Sequence, residues 1–525
     1  MTQLSARTRK RKSNIRPAEF APAQKTAGPS RDGWRWGSLA ILIAAALLRL
    51  LYLTEKPLHH DEGVNGLFLA NLFRTGYYHY DPANYHGPTL YYIALLPSGI
   101  NNLFHWGHGL STFAIRFVTA AFGVGVVWLM LCLRRYLGTA AALAAAAFAT
   151  ISPGFVFFSR YFIHEILFVF FSLGGIVAWL WYRDTGKARY LMLASASAAM
   201  LFATKETWII TAAVWLIAIP CTTFYLRLRR RVDVPTPMRK AATDDIARST
   251  KLLYVKAAAL FAAIGILFYS SFFTNPRGIL DSVLTFTYWT KTGQNGIYNR
   301  DWSTYVSWLL REESPILILG GIGTLVALVR ARSFFTVFCA FWSLGIFAAY
   351  SLVPYKTPWL ALSIILPLTI MVGYLIGEAY QPGLRAFTTV IAGAAIVFSL
   401  YQAIDISFVN YDNDAYVYSY AHTNRDFLAL VSEIESIANA NPAKKEIGIT
   451  VVSPEHWPLP WYLREYTHVG YWGHIVQTSE PIVIALKSQS SQVEQQLGGK
   501  YRLFSTHELR PGNTLMMFVR NDVPQ

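Results

Sequence analysis

The run Pro88–Phe104, PTLYYIALLPSGINNLF, decides how the chain is threaded. It is apolar but barely long enough to cross a bilayer, which takes about 20 helical residues. Pro97, Gly99, Asn101 and Asn102 also interrupt it. If it crosses, every later basic loop falls outside the cell. If it lies flat at the interface, the next apolar run, Phe113–Leu133, ends with Arg134 and Arg135 inside. Cytoplasmic loops collect Lys and Arg, so the run is expected to lie flat.

Just upstream, between the first long apolar run (Trp36–Thr54) and this segment, Asp61, Glu62, Asp81, His59, His60, His79 and His86 stand among aromatics. Ionisable groups are expensive to hold at a membrane edge and mark functional sites there. Composition places the whole chain in the membrane. Its 525 residues are 54% hydrophobic and 14% charged, with mean hydropathy +0.32, too apolar for a soluble protein of this size. The 46 Lys and Arg against 30 Asp and Glu sit where orienting loops are expected, so no nucleic-acid partner is implied. Cys132, Cys221 and Cys339 all lie in apolar runs, which leaves no disulfide framework and no zinc pattern.

Residues 1–35 carry nine basic residues, including Arg9–Lys12, and are expected to be a disordered cytoplasmic tail drawn to anionic lipid. From there the positive-inside pattern predicts eleven spans through residue 409: 36–54, 113–133, 140–158, 162–182, 190–203, 208–226, 252–273, 315–329, 333–352, 358–376 and 386–408. The fold class is an all-α polytopic membrane protein with interfacial helices in its first external loop. Residues 410–525 are expected to form a small extracytoplasmic α/β domain, with helices at 424–439 and 491–497 and strands at 447–452, 481–486, 501–505 and 514–519.

Several charged turns then fall on the external side. Asp61 either caps a short interfacial helix or serves as a general base or cation ligand. The nearby histidines form no HxH or HxxxH pair, so His86 is read as interfacial or sugar-bonding rather than metal-binding. Arg160, Tyr161 and Glu165 share a helix end, where Glu165 either pairs with the arginine or faces the cavity of Asp61. Lys205 and Lys356 are snorkelling anchors or, with Arg160, a cationic site for a lipid phosphate. The aromatic run EHWPLPWYLREYTHVGYW (Glu455–Trp472) suits either sugar stacking or a membrane belt.

Taken together, the acidic pair after the first span, HGPTLYY (His86–Tyr92), Arg116, SRYFIHEILF (Ser159–Phe168) and ATKE (Ala203–Glu206) resemble the GT-C glycosyltransferase superfamily, on its protein O-mannosyltransferase and aminoarabinose-transferase branch. SLVPYKTPWL (Ser351–Leu360) and WPLPWYLREY (Trp457–Tyr466) liken it further to a prokaryotic flippase-activity-associated glycosyltransferase-like family. The likeness covers residues 36–410. It implies a polyprenyl-phosphate-linked sugar donor held at the plasma membrane and inverting transfer to a protein, lipid or glycan acceptor on the external face. It also implies that Asp61 is the catalytic base, with Glu62 and Glu165 as further acidic site residues. Lys205 would contact the donor phosphate; Arg160, Lys356, Asp81, His86 and Tyr161, on the same external side by the reading of the residues themselves, are expected to bind substrate. No cofactor is implied; with no DxD present, a divalent cation is not favoured. The rival reading is a non-catalytic partner that binds lipid-linked glycans.

Overall fold

The computed structural model describes residues 31–83, 86–104, 109–229, 244–292 and 296–523. Most of the basic tail expected over 1–35 lies outside these residues, and its last five residues already open the first helix, Arg31–Leu50 (α1). His60–Thr75 (α2) and Thr89–Leu103 (α3) follow, then Thr112–Cys132 (α4), continued by the single turn Arg134–Leu137 (α5). Thr139–Ile151 (α6) and Pro153–Ser159 (α7) form one bent unit. Glu165–Thr185 (α8), Ala188–Phe202 (α9), Trp208–Leu228 (α10) and Asp244–Tyr269 (α11) come next. Then come Arg277–Thr292 (α12), Thr304–Glu312 (α13), Ser314–Arg330 (α14), Phe334–Leu352 (α15), Ala361–Ala379 (α16) and Arg385–Ile404 (α17).

Among the described residues, eight helices are long and apolar enough to cross a membrane, or ten if each bent pair counts as one span. The pairs are α6–α7, bent by 56°, and α13–α14, bent by 115°. The eleventh expected span corresponds to α9, only 15 residues long. Helix α3 is not among the crossing helices.

Local chemistry explains the breaks. Pro153 has no N–H to continue α6, and the Ser152 side chain caps the restarted helix by accepting from the Phe155 N–H at 3.3 Å. The carbonyls left open at the end of α6 are filled by Arg49 of α1, which donates to Ala149 O (2.9 Å) and Thr150 O (3.1 Å). Helices α14 and α16 approach closely because Gly323 faces the Met371 carbonyl, where a Cβ would stand 2.2 Å from the oxygen. Small residues permit such contact between apolar helices that gain no hydrophobic drive from one another in lipid.

The C-terminal part is a five-stranded sheet of order β2-β1-β3-β5-β4, built from Ile449–Val451 (β1), Val469–Tyr471 (β2), Ile482–Leu486 (β3), Tyr501–Arg510 (β4) and Asn513–Arg520 (β5). β1 runs parallel to β2 and β3, and the rest is antiparallel. Phe427–Ala440 (α18), Leu459–Tyr462 (α19) and Ser490–Leu497 (α20) complete it. Strand β2 was not foreseen: three residues among aromatics show no alternation to read. The aromatic run is neither a membrane belt nor an open platform at its centre. Trp461 is buried against α2, where a Cβ on Gly66 would stand 2.5 Å from its ring, and the Tyr462 hydroxyl accepts the Leu58 N–H at 3.0 Å. The sheet domain thus docks on the segment that carries Asp61.

Candidate functional site

Helix α2 is started by His59 rather than by Asp61. The His59 ring accepts the Asp61 N–H at 3.1 Å, and Glu62 reaches back to the His59 N–H at 2.9 Å, a reciprocal cap. The two adjacent acids part ways from this point. Glu62 is fully buried, and Arg116 of α4 grips both its oxygens, Nε at 2.8 Å and Nη2 at 2.7 Å, while the Phe162 N–H donates to it at 2.8 Å. Burial works against the Glu62 carboxylate, but Arg116 and Lys56 outweigh it and hold the group below its ordinary range. Arg116 also donates to the carbonyls of Leu53, Lys56 and Pro57. Glu62, expected among the catalytic acids, thus pins α2 to the end of α1 and presents no free carboxylate. The Asp61 side chain is 42% exposed, with the His59 Nδ1 3.9 Å from its Oδ2.

A second cluster forms where three turns are sewn together. The Gly87 N–H donates to Thr204 O (3.1 Å) and the Thr89 N–H to Ala203 O (3.3 Å), while His164 Nε2 lies 3.0 Å from Gly87 O. A Cβ on Gly87 would stand 2.1 Å from the Ala203 carbonyl oxygen, so only glycine fits this crossing. Inside it, Lys205 Nζ is bonded to Glu165, and His86 Nδ1 lies 2.9 Å from Glu206. Burial works against the Lys205 ammonium, but Glu165 and Glu206 outweigh it and raise it above the ordinary lysine range. Burial likewise opposes the Glu206 carboxylate, yet His86 and Lys205 hold it down to about 2. His164 is kept neutral, pushed well below the ordinary range by burial with His86 and Lys205 beside it.

Tyr355 lies within electrostatic range of both clusters. It feels the charges of Lys205, Asp61 and Glu206 together, and burial raises its phenol to about 12. The Tyr298 ring packs against it at a tilt of 58°, ring centres 5.3 Å apart, held by a short bridge in which the Lys356 N–H donates to Tyr298 O at 3.0 Å and the Arg300 N–H to Pro354 O at 3.1 Å.

Three expected substrate ligands are turned inward instead. The Lys356 ammonium donates to the carbonyls of Tyr350, Ser351 and Val353 at 2.6–3.2 Å, closing the end of α15. Arg160 caps α1 in the same way through Leu51 O (2.6 Å) and Tyr52 O (2.9 Å). Tyr161 is buried, its hydroxyl 2.6 Å from His422 Nδ1. Cations at helix C-termini satisfy carbonyls that would otherwise be orphaned, which is why their turns look like open binding sites in sequence. Asp81 accepts the Ala83 N–H at 2.9 Å, shaping the loop after α2. Glu206 was not singled out beforehand; its position next to Lys205 was the available signal. Among the described residues, no group of three or more His, Cys, Asp or Glu is placed to hold a metal ion.

Residues 85–232 match the family model of dolichyl-phosphate-mannose-protein mannosyltransferases. The structure is similar to that of ArnT from Cupriavidus metallidurans in the apo state, at a TM-score of 0.65 and 12% identity, over 93% of this chain and 98% of that one. The form of ArnT bound to undecaprenyl phosphate aligns at 0.60 and 14% identity, over 94% and 100%. The fold is that of the GT-C glycosyltransferases. The same GT-C architecture extends to the oligosaccharyltransferase of Archaeoglobus fulgidus in complex with zinc and sulfate, at 0.54 and 14% identity, over 91% of this chain and 74% of that one. A comparison with curated proteins gives no match. The family match runs from the turn before α3 to the end of α10, and so includes His86, Glu165, Lys205 and Glu206.

Proposed function

We propose that this chain transfers a sugar from a polyprenyl-phosphate-linked donor to an acceptor hydroxyl on the extracytoplasmic side of the plasma membrane. The observation that carries this reading is the division of labour between adjacent acids: Glu62 is sealed in an ion pair while Asp61 stays half-exposed, and the charges of Asp61 and Lys205 both reach Tyr355. ArnT, a structural relative, has been crystallised with undecaprenyl phosphate, which supports a polyprenyl carrier as the donor lipid.

In the reaction, the Asp61 carboxylate takes the proton from the acceptor O–H as that oxygen bonds to the sugar C1. The C1–O bond to phosphate breaks on the opposite face, its electron pair leaves with the polyprenyl phosphate, and the configuration at C1 inverts. A positioned base is worth about 10²–10⁴-fold. The Lys205 ammonium has three N–H donors and directs one at Glu165, so the others can meet the charge that builds on the leaving phosphate. Glu165 acts as a positioning residue that keeps Lys205 charged and aimed. The test is release of polyprenyl phosphate and labelled product by the purified protein. Donor binding that needs Lys205 but never leads to turnover would instead identify a lipid-linked-glycan binding protein.

A further inference from the structure

A cavity of about 340 Å³ lies between the Arg300–Trp308 segment, the strand-free stretch 412–422 and the β4–β5 turn at Arg510. Arg300, Trp308, Tyr416, Tyr420, His422 and Arg510 line it; Lys205, Glu165 and Glu206 do not. Small-molecule sites occupy roughly 300–1,000 Å³, so the space is at the small end of that range.

The cavity adjoins Asp61 through its own walls. The His59 ring, whose Nδ1 lies 3.9 Å from Asp61, has its Nε2 3.2 Å from the Tyr420 carbonyl and its centre 6.3 Å from that of the His422 ring. The order of neighbours is therefore Asp61, His59, then Tyr420 and His422 with the cavity. A donor phosphate at Lys205 and its sugar at Asp61 leave this space on the acceptor's side.

The lining has the chemistry of a hydroxyl-rich, uncharged ligand. Trp308 supplies an aromatic wall, with the Arg300 guanidinium 5.8 Å from its ring centre. Arg510 donates to Trp457 O at 2.7 Å, while its Nε is buried with no partner among the described residues. His422 is 2% exposed, and its Nε2 is likewise buried without a partner. Its other nitrogen is bonded to Tyr161, so Nε2 is a donor or an acceptor according to the tautomer. A hydroxyl satisfies either state, whereas a carboxylate or phosphate satisfies only one. Two arginines face Asp412 and Asp414 across the lining, and Asp412 is already paired with Arg425 at 2.6 Å. Arg510 is likewise paired, its Nη1 3.7 Å from Glu455, which leaves Arg300 against Asp414 and no surplus charge to select an anion.

We infer that this cavity is the acceptor site and that the acceptor is a neutral saccharide, its ring laid on Trp308 and its hydroxyls on Arg510 and His422. The inference rests on the transferase reading above, and the test separates the two. Full-length protein in lipid nanodiscs is probed by saturation-transfer-difference NMR with mannobiose, galactobiose and arabinobiose, and with a Gly-Ser-Thr-Gly peptide; undecaprenyl phosphate binding is measured in parallel. At least one disaccharide is expected to bind, with affinity lowered at least about tenfold, or 1.4 kcal/mol, in Trp308→Ala and restored in Trp308→Phe. Binding of the peptide alone, of no probe, or of a disaccharide equally well by Trp308→Ala overturns the inference, even if undecaprenyl phosphate binds. Disaccharide binding without undecaprenyl phosphate binding upholds the saccharide site and overturns the donor reading instead.

Discussion

Arg116 grips Glu62 through two nitrogens at 2.8 and 2.7 Å, while Asp61, one residue earlier, keeps its carboxylate half-exposed. Removing one partner of a buried pair costs about 3–5 kcal/mol, so Glu62→Gln is expected to lose that much stability in thermal unfolding. Asp61→Asn should change stability by no more than about 0.5 kcal/mol. A stable Glu62→Gln that lost only activity would return Glu62 to the chemistry.

The Lys205–Glu165 pair makes a different prediction, because both side chains are buried and each compensates the other. Lys205→Met alone strands a buried carboxylate and should cost about 3–5 kcal/mol. The double variant Lys205→Met with Glu165→Gln should recover most of that loss, yet bind polyprenyl phosphate about 10–100-fold more weakly, as expected for losing a charged hydrogen bond of about 1.5–3 kcal/mol. Stability and lipid affinity, measured on all three variants, separate structural pairing from phosphate binding.

Docking of the sheet domain depends on two glycines of α2. A Cβ on Gly66 would stand 2.5 Å from the Trp461 ring, and one on Gly63 would stand 2.7 Å from Pro458 Cβ. Gly66→Ala is expected to cost about 1–3 kcal/mol through overpacking. It should loosen the domain enough for limited proteolysis to cut near residues 410–424 faster than in the wild type.

His507 supplies the pH dependence. Its ring nitrogens lie 3.1 Å from Asp426 and 3.0 Å from Glu433. Burial works to lower its pKa, but the two carboxylates outweigh it and raise the imidazole above its ordinary value. A raised folded value stabilises the domain in full below the unfolded pKa of about 6.5, and that stability fades as pH rises through the folded value. The melting temperature of wild type should therefore exceed that of His507→Gln at pH 6, with the gap closing toward pH 9. A gap that widens with rising pH would contradict the assignment.

Much of the membrane part was legible because runs of about 20 apolar residues leave few alternatives, and the basic loops fall between them in a consistent alternation. The site was only half legible. The turns carrying His86, Glu165 and Lys205 do meet, since each ends or begins a helix at the same end of the bundle. What sequence could not say is which cations had local carbonyls to fill. Lys356 and Arg160 look free in a string of letters, but each lies within reach of a helix end whose open carbonyls bind it. Nor could it say which of two adjacent acids Arg116 would claim, a choice set by a contact 54 residues away. The small residues Gly63 and Gly66, three apart on α2, were a readable sign that something packs closely there.

The most direct measurement is transfer of radiolabelled sugar from polyprenyl-phosphate-linked donors by purified wild-type protein and by Asp61→Asn. The account predicts turnover by the wild type and a loss of about 10²–10⁴-fold in the variant, with donor binding retained. Full transfer by Asp61→Asn, or donor binding by the wild type with no turnover, would contradict it.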